Sequence, residues 1–235
     1  MLMKNFKAVI FDMDGTLLDT LEDLYLSLNH ALSECGYKQR SKAEIQSFIG
    51  DGVDVLIARA MPDELKADIE TDSEKANKFA DKCRRVGEVF RAYYIVHGED
   101  NTLPYDGILK LLESLKANGI KTAVVSNKVQ EAVDRLNDRL FGGLIGVAVG
   151  DRAGVRLKPE PDMLLDALTR LDVSKDEAVF VGDGDTDIIA ASRAGMPCIS
   201  VCYGYRTEDF LRNSGGKTFA HSAQELATLL GINKI

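Results

Sequence analysis

Apolar positions along the chain follow two different periods. Short, largely apolar, β-rich runs at residues 7–11, 121–125, 147–149, 178–181 and 198–201 are too short for helices, and each stops at polar loop residues. Between them the spacing changes to threes and fours. Ile108, Leu111, Leu112 and Leu115 share one helical face, as do Met163, Leu164, Ala167, Leu168 and Leu171. Strands buried on both faces read as unbroken apolar runs, so this alternation predicts an α/β fold, a doubly wound, mostly parallel sheet with helices on both sides.

Residues 21–97 interrupt the alternation, because they contain no convincing strand and read as several helices. Leu21, Leu24, Tyr25, Leu28, Ala31 and Leu32 form one apolar stripe ending near Gly36. Ser41, with Glu44 three residues on, has the pattern of a capping box opening a helix through Ile45, Phe48 and Ile49. Gly50-Asp51-Gly52 breaks that helix, another passes through Val55, Leu56 and Ala60, and Pro62 breaks again. A long charged helix follows over 72–96. The expected organisation is a core of residues 1–20 and 98–235 with an α-helical insertion at 21–97.

Composition narrows the class. The chain has 235 residues, 45% of them hydrophobic and 28% charged, enough apolar material for a sizeable core. Lys and Arg total 29 against 37 Asp and Glu, a net charge of −8, which argues against a nucleic-acid-binding surface. No apolar run approaches the roughly 18–20 residues of a membrane span, so neither a membrane nor a nucleic acid is an expected partner, and a cytoplasmic location is expected. Cys35, Cys83, Cys198 and Cys202 show no zinc-like pairing and are expected reduced and mostly buried. The acidity makes an anionic substrate a local problem, to be solved by a metal or by a few placed lysines.

In an open α/β sheet, ligands bind beyond the carboxyl ends of the strands. The first run delivers Asp12 and Asp14 there. The run ending at Val125 delivers Ser126, Asn127 and Lys128, and the run ending at Val181 delivers Gly182 through Asp187. Two bare carboxylates about 4 Å apart repel by about 4 kcal/mol at an effective dielectric near 20, so a cluster of them calls for a cation. Oxygen donors without His or Cys favour Mg²⁺. Taken singly, Asp12, Asp14 and Asp183 could be Asx-turn or cap residues.

Asp12-Met13-Asp14-Gly15-Thr16-Leu17 resembles the opening signature of the haloacid dehalogenase-like superfamily. Ser126, Lys158-Pro159-Glu160-Pro161-Asp162 and Gly182-Asp183 with Asp187 follow in the order of its later motifs. The resemblance implies that Asp12 is a nucleophile forming an aspartyl-phosphate and that Asp14 is the general acid and base. It also implies a Mg²⁺ site of Asp12, the Asp14 carbonyl and Asp183, with Asp187 close by, either as a further ligand or just behind the ligands. Ser126 and Lys158 would hold and neutralise the phosphoryl group, Thr16, Asn127 and Lys128 would contact substrate, and the inserted helices would be a cap over a Rossmann-like core. Asp19-Thr20, Ile49-Gly50-Asp51-Gly52, Tyr105-Asp106-Gly107 and Tyr203-Gly204-Tyr205 resemble the phosphoglycolate phosphatase subfamily, which often has proline where Glu22 and Asp106 stand.

The expected activity is that of a Mg²⁺-dependent phosphomonoesterase acting on a small phosphorylated metabolite, 2-phosphoglycolate first. The alternatives are a sugar phosphomutase on the same scaffold and a non-catalytic phosphate-binding module. Several residues keep two readings. Ser126 holds phosphate or caps a helix beginning near Lys128; Lys128 contacts phosphate or lies on an exposed first turn; Lys158 neutralises phosphate or is a solvated loop charge. Gly50 and Gly52 form a substrate-facing loop or only a helix break. Asp185 falls outside the expected spacing, and His30, His97 and His221 read as ordinary surface or packing residues.

Overall fold

The computed structural model of the chain describes residues 6–67, 69–232 and 235. After strands β1 (Ala8–Phe11) and β2 (Leu18–Asp19) come helices α1 (Leu21–Glu34), α2 (Lys42–Phe48), α3 (Val53–Ala60), α4 (Asp63–Lys66) and α5 (Ser73–His97). The α/β pattern resumes with β3 (Leu103–Pro104), α6 (Ile108–Ala117), β4 (Lys121–Val129), α7 (Gln130–Phe141), β5 (Val147–Asp151) and α8 (Asp162–Leu171). A 3₁₀ turn at Lys175–Glu177 leads to β6 (Ala178–Gly182), α9 (Asp185–Ala194), β7 (Cys198–Val201), α10 (Glu208–Asn213), β8 (Phe219–Ala220) and α11 (Ala223–Leu229). The chain divides into two compact units, Met1–Asp19 with Leu103–Ile235, and Thr20–Thr102.

The first unit is built on a parallel six-stranded sheet in the order β5-β4-β1-β6-β7-β8. Alternation along each strand sends side chains to opposite faces. Val9, Phe11, Val124, Val179 and Val181 pack with Leu111 and Leu115 of α6, Leu136 of α7 and Leu226 of α11. Ala8, Ile10, Ala123, Val125 and Phe180 pack on the other face with Leu164 and Leu168 of α8 and Ala190 and Ala191 of α9. Burying each large apolar side chain contributes roughly 1.5–3 kcal/mol, and with both faces covered β1 has no room for a polar residue before Asp12. The doubly wound parallel sheet expected from the sequence is therefore present. The chain winds outward from β1 through β4 to β5, then returns to lay β6, β7 and β8 on the other side. The switch in winding direction falls between β1 and β6.

Two features depart from the apolar pattern. The strand expected to stop at Val125 continues as β4 to Val129, and Val125 pairs with Val149 while Val129 pairs with Asp151. Four steps on β4 thus oppose two on β5, so Ser126, Asn127 and Lys128 form a bulge. Gly150 is the residue that lets this happen: a Cβ there would lie 2.6 Å from Gln130 Cα and 2.9 Å from Lys128 O. The short antiparallel pair β2–β3 and strand β8 also went unmarked, being only two residues long per strand.

In the second unit, Leu28, Leu32, Ile45, Leu56, Ile57, Val86 and Phe90 are among the buried apolar residues. Ser41 and Glu44 make the expected capping box at α2. Arg40 ties the helices together, donating from Nε to Ala60 O (2.8 Å) and from Nη2 to Met61 O (2.9 Å). This unit continues past His97 to Thr102, because buried Asp23 accepts hydrogen bonds from Asn101 N and Nδ2 and from Thr102 Oγ1.

Candidate active site

Asp12 and Asp183 follow β1 and β6, the two strands flanking the switch in winding direction, where neighbouring loops diverge and leave a crevice. Asp187 joins them from the first turn of α9, its Oδ2 accepting from Gly184 N (2.9 Å). The three carboxylates are buried, with ligand oxygens within 4.8 Å of one another; Asp185 is not in the group.

Lys158 enters from the segment between β5 and α8 and is 4% exposed. Its Nζ donates to Asp12 Oδ1 at 2.6 Å and to Asp187 Oδ1 at 2.7 Å. A solvated loop charge is thus excluded. Burial alone would lower the pKa of this ammonium, but Asp12 and Asp187 together outweigh it and raise the value. Burial pushes Asp12 well above the usual carboxylate range, against the pull of Lys158 and with Asp187 and Asp183 adding to it. Asp183 is pushed up to about 7, again mainly by burial and then by Asp187.

Asn127 does not face outward. Its Nδ2 donates to Lys158 O (2.8 Å) and its Oδ1 accepts from Lys158 N (2.9 Å), so the β4 bulge clamps the backbone that carries the central ammonium. Ser126 is buried and its Oγ accepts from Lys128 N (3.3 Å). The helix-capping alternative for Ser126 fails because α7 begins at Gln130 with Val129 as its N-cap. Lys128 is 7% exposed and its Nζ lies 3.2 Å from Asp14 Oδ1, so an exposed helical first turn is also excluded.

Sequence reasoning gave no mechanical role to the segment after β7. Tyr205 N donates to Asp183 Oδ2 (2.7 Å), Tyr203 OH donates to Thr16 O (3.2 Å), and Thr16 Oγ1 donates to Asp183 Oδ1 (3.3 Å). Gly204 lies between the two tyrosines, where a Cβ would collide with Gly15 O, and Gly15 itself has φ +83°. Two chain segments therefore close on Asp183 at backbone distance. Close approach of this kind leaves no trace in hydrophobic periodicity.

Gly50 and Gly52 belong to the helical unit, at the junction of α2 and α3, with φ +130° and +88°. Asp51 there is paired with Arg59 at 2.6 Å. The four cysteines are unpaired, as expected, but only partly buried. Among the described residues no helix is long and apolar enough to cross a membrane.

Three carboxylates against one ammonium leave two negative charges, the complement of one divalent cation. Hard oxygen donors in that number suit such an ion, whose charge would offset the cost of burying Asp12 and Asp183 as carboxylates. A crevice at the switch of a doubly wound sheet, lined by buried carboxylates and one lysine, is a centre whose donor set suits a divalent cation.

The haloacid dehalogenase-like hydrolase family matches residues 9–201, and the chain belongs to that family. It is 32% identical over 200 residues to the phosphoglycolate phosphatase of Aquifex aeolicus, covering 85% of this chain and 86% of that one. It is 29% identical over 235 residues to that of Vibrio parahaemolyticus, covering 99% and 100%. A solved candidate phosphoglycolate phosphatase from Lactobacillus delbrueckii subsp. bulgaricus superposes with a TM-score of 0.87 at 36% identity, covering 97% of this chain and 100% of the other. These relationships make the protein an enzyme of the phosphatase class, similar to phosphoglycolate phosphatases.

Proposed function

We propose that the protein is a Mg²⁺-dependent phosphomonoesterase that hydrolyses a small phosphorylated acid, 2-phosphoglycolate first, through a phosphoryl group carried on Asp12. The observation that carries this reading is the Lys158 ammonium held between Asp12 and Asp187, with Asp183 alongside. Asp12, Asp183 and Asp187, with the Asp14 carbonyl, would hold the metal. When bound it would supply Lewis-acid charge that draws in the phosphate and stabilises its transition state.

The chain's own residues account for the rest. Asp12 attacks phosphorus, and Lys158 holds its carboxylate in one orientation while offsetting charge on the phosphoryl oxygens. Ser126 would donate its hydroxyl to one of those oxygens. Asp14, at the less buried edge and paired with Lys128, protonates the leaving alkoxide and then takes a proton from the water that attacks the acyl phosphate. Residues 21–97 would act as a cap that excludes water, with Gly50-Asp51-Gly52 selecting the substrate. The reduced cysteines fit action in the cytoplasm.

Phosphate release should be measured with Mg²⁺ and with chelator across two- and three-carbon phosphorylated acids, sugar phosphates and nucleotides. The proposal expects Mg²⁺-dependent release, highest with phosphoglycolate. Isomerised sugar phosphate without free phosphate would identify a mutase instead, and tight ligand binding without turnover would identify a binding module.

A further inference from the structure

A second group of potential metal ligands lies just past the ends of β7 and β8, and shares no residue with the carboxylates already described. Cys202 follows β7, His221 follows β8, and Glu208 opens α10. Parallel pairing of β7 and β8 brings the first two side by side, with Cys202 N donating to Ala220 O at 2.8 Å. His221 Nε2 lies 3.2 Å from Glu208 Oε2, and one ligand atom from each of the three residues falls within 4.8 Å of the others. Glu225 Oε2 accepts from His221 N at 2.8 Å, which fixes the backbone beneath the imidazole. The other Glu208 oxygen is held by Arg212.

We propose that Cys202, Glu208 and His221 form a binding site for a borderline-soft divalent cation, zinc in preference to magnesium. The donor set decides the metal. One sulfur, one imidazole nitrogen and one carboxylate oxygen match zinc, whereas the three-carboxylate centre matches a hard ion. The cation would sit between His221 Nε2 and Glu208 Oε2, and binding releases the Cys202 thiol proton. With three protein ligands the fourth tetrahedral position is open to water. The local charge agrees: burial, then Glu208 and Glu225, raises the Cys202 thiol pKa, a cost that a dication removes. The position gives the site a mechanical role. The segment between Cys202 and Glu208 carries Tyr203 and Tyr205, whose hydrogen bonds fix Thr16 and Asp183, so a cation there braces the wall of the carboxylate crevice.

The test uses the full chain, reduced with a non-thiol reductant and saturated with Mg²⁺, titrated with Co²⁺ as the spectroscopic stand-in for zinc. The site predicts one equivalent of tetrahedral cobalt with a thiolate-to-metal charge-transfer band, bleached by added Zn²⁺. The Cys202→Ser variant should lose the band, and Cys83→Ser should keep it. In His221→Gln, whose side chain is more than half exposed, Co²⁺ affinity should fall by more than the roughly 10–100-fold that loss of a supporting partner costs. Cobalt bound only at the all-oxygen centre would show no thiolate band. That result, or a band retained in Cys202→Ser, would overturn the proposal.

Discussion

Lys158 concentrates the electrostatics of the crevice in one atom. Its ammonium is the counter-charge to a buried set that repels itself, and removing one partner of a buried pair typically costs about 3–5 kcal/mol. Lys158→Met should therefore lower the unfolding free energy of the metal-free protein by about that amount, measured by urea denaturation in chelator. A midpoint unchanged from wild type would show that the carboxylates do not depend on it. Asp183 gives a pH dependence of definite sign. With its pKa raised from 3.8 to about 7, the folded metal-free protein holds a proton that the unfolded chain has already lost, so stability falls as pH rises from about 4 to about 7. Asp183→Asn removes that loss. In chelator its stability relative to wild type should climb across this window and level off above it, whereas a constant difference would refute the shift.

At the scale of elements, the β4 bulge is what turns a strand end into a positioning device. Asn127 spends both its amide groups on Lys158's backbone, and each such hydrogen bond contributes about 0.5–1.5 kcal/mol net. Asn127→Ala should cost about 1–3 kcal/mol in unfolding and lower kcat by about 10–100-fold through a misplaced ammonium, with metal affinity kept. Loss of metal affinity instead would place Asn127 in the metal's own shell. The bulge also marks the limit of sequence reading. The apolar run to Val125, the acidic loops after β1 and β6 and the capping box at Ser41 were legible because each is a local pattern. The extra residues of β4, the clamp by Asn127 and the closure of Tyr203-Gly204-Tyr205 on Asp183 were not, since each depends on a neighbour distant in sequence and on backbone approach rather than polarity. Lys128 shows the same limit, because a lysine following a strand keeps both a phosphate-facing and an exposed reading until a bulge and Asp14 draw it inward.

For the whole molecule, the proposed function places covalent chemistry on the sheet unit and substrate choice on the helical one. Asp51→Ala, which removes the carboxylate partner of Arg59 at the α2–α3 junction, should change the ratio of kcat/KM for phosphoglycolate to that for a generic aryl phosphate. Equal loss on both substrates in a folded variant would contradict that division. The central claim is that phosphate passes through Asp12, and it is tested most directly in the Asp14→Asn variant. That change keeps the nucleophile but removes the proton carrier, whose general catalysis contributes roughly 10²–10⁴-fold. Reacted with an activated aryl phosphate and Mg²⁺, then quenched in acid, the variant should yield a phosphate adduct on the peptide containing Asp12 by mass spectrometry. The adduct should be absent with chelator and absent in Asp12→Asn. An adduct on the Asp12→Asn protein but not on the folded Asp14→Asn protein would reverse the two roles and contradict the account.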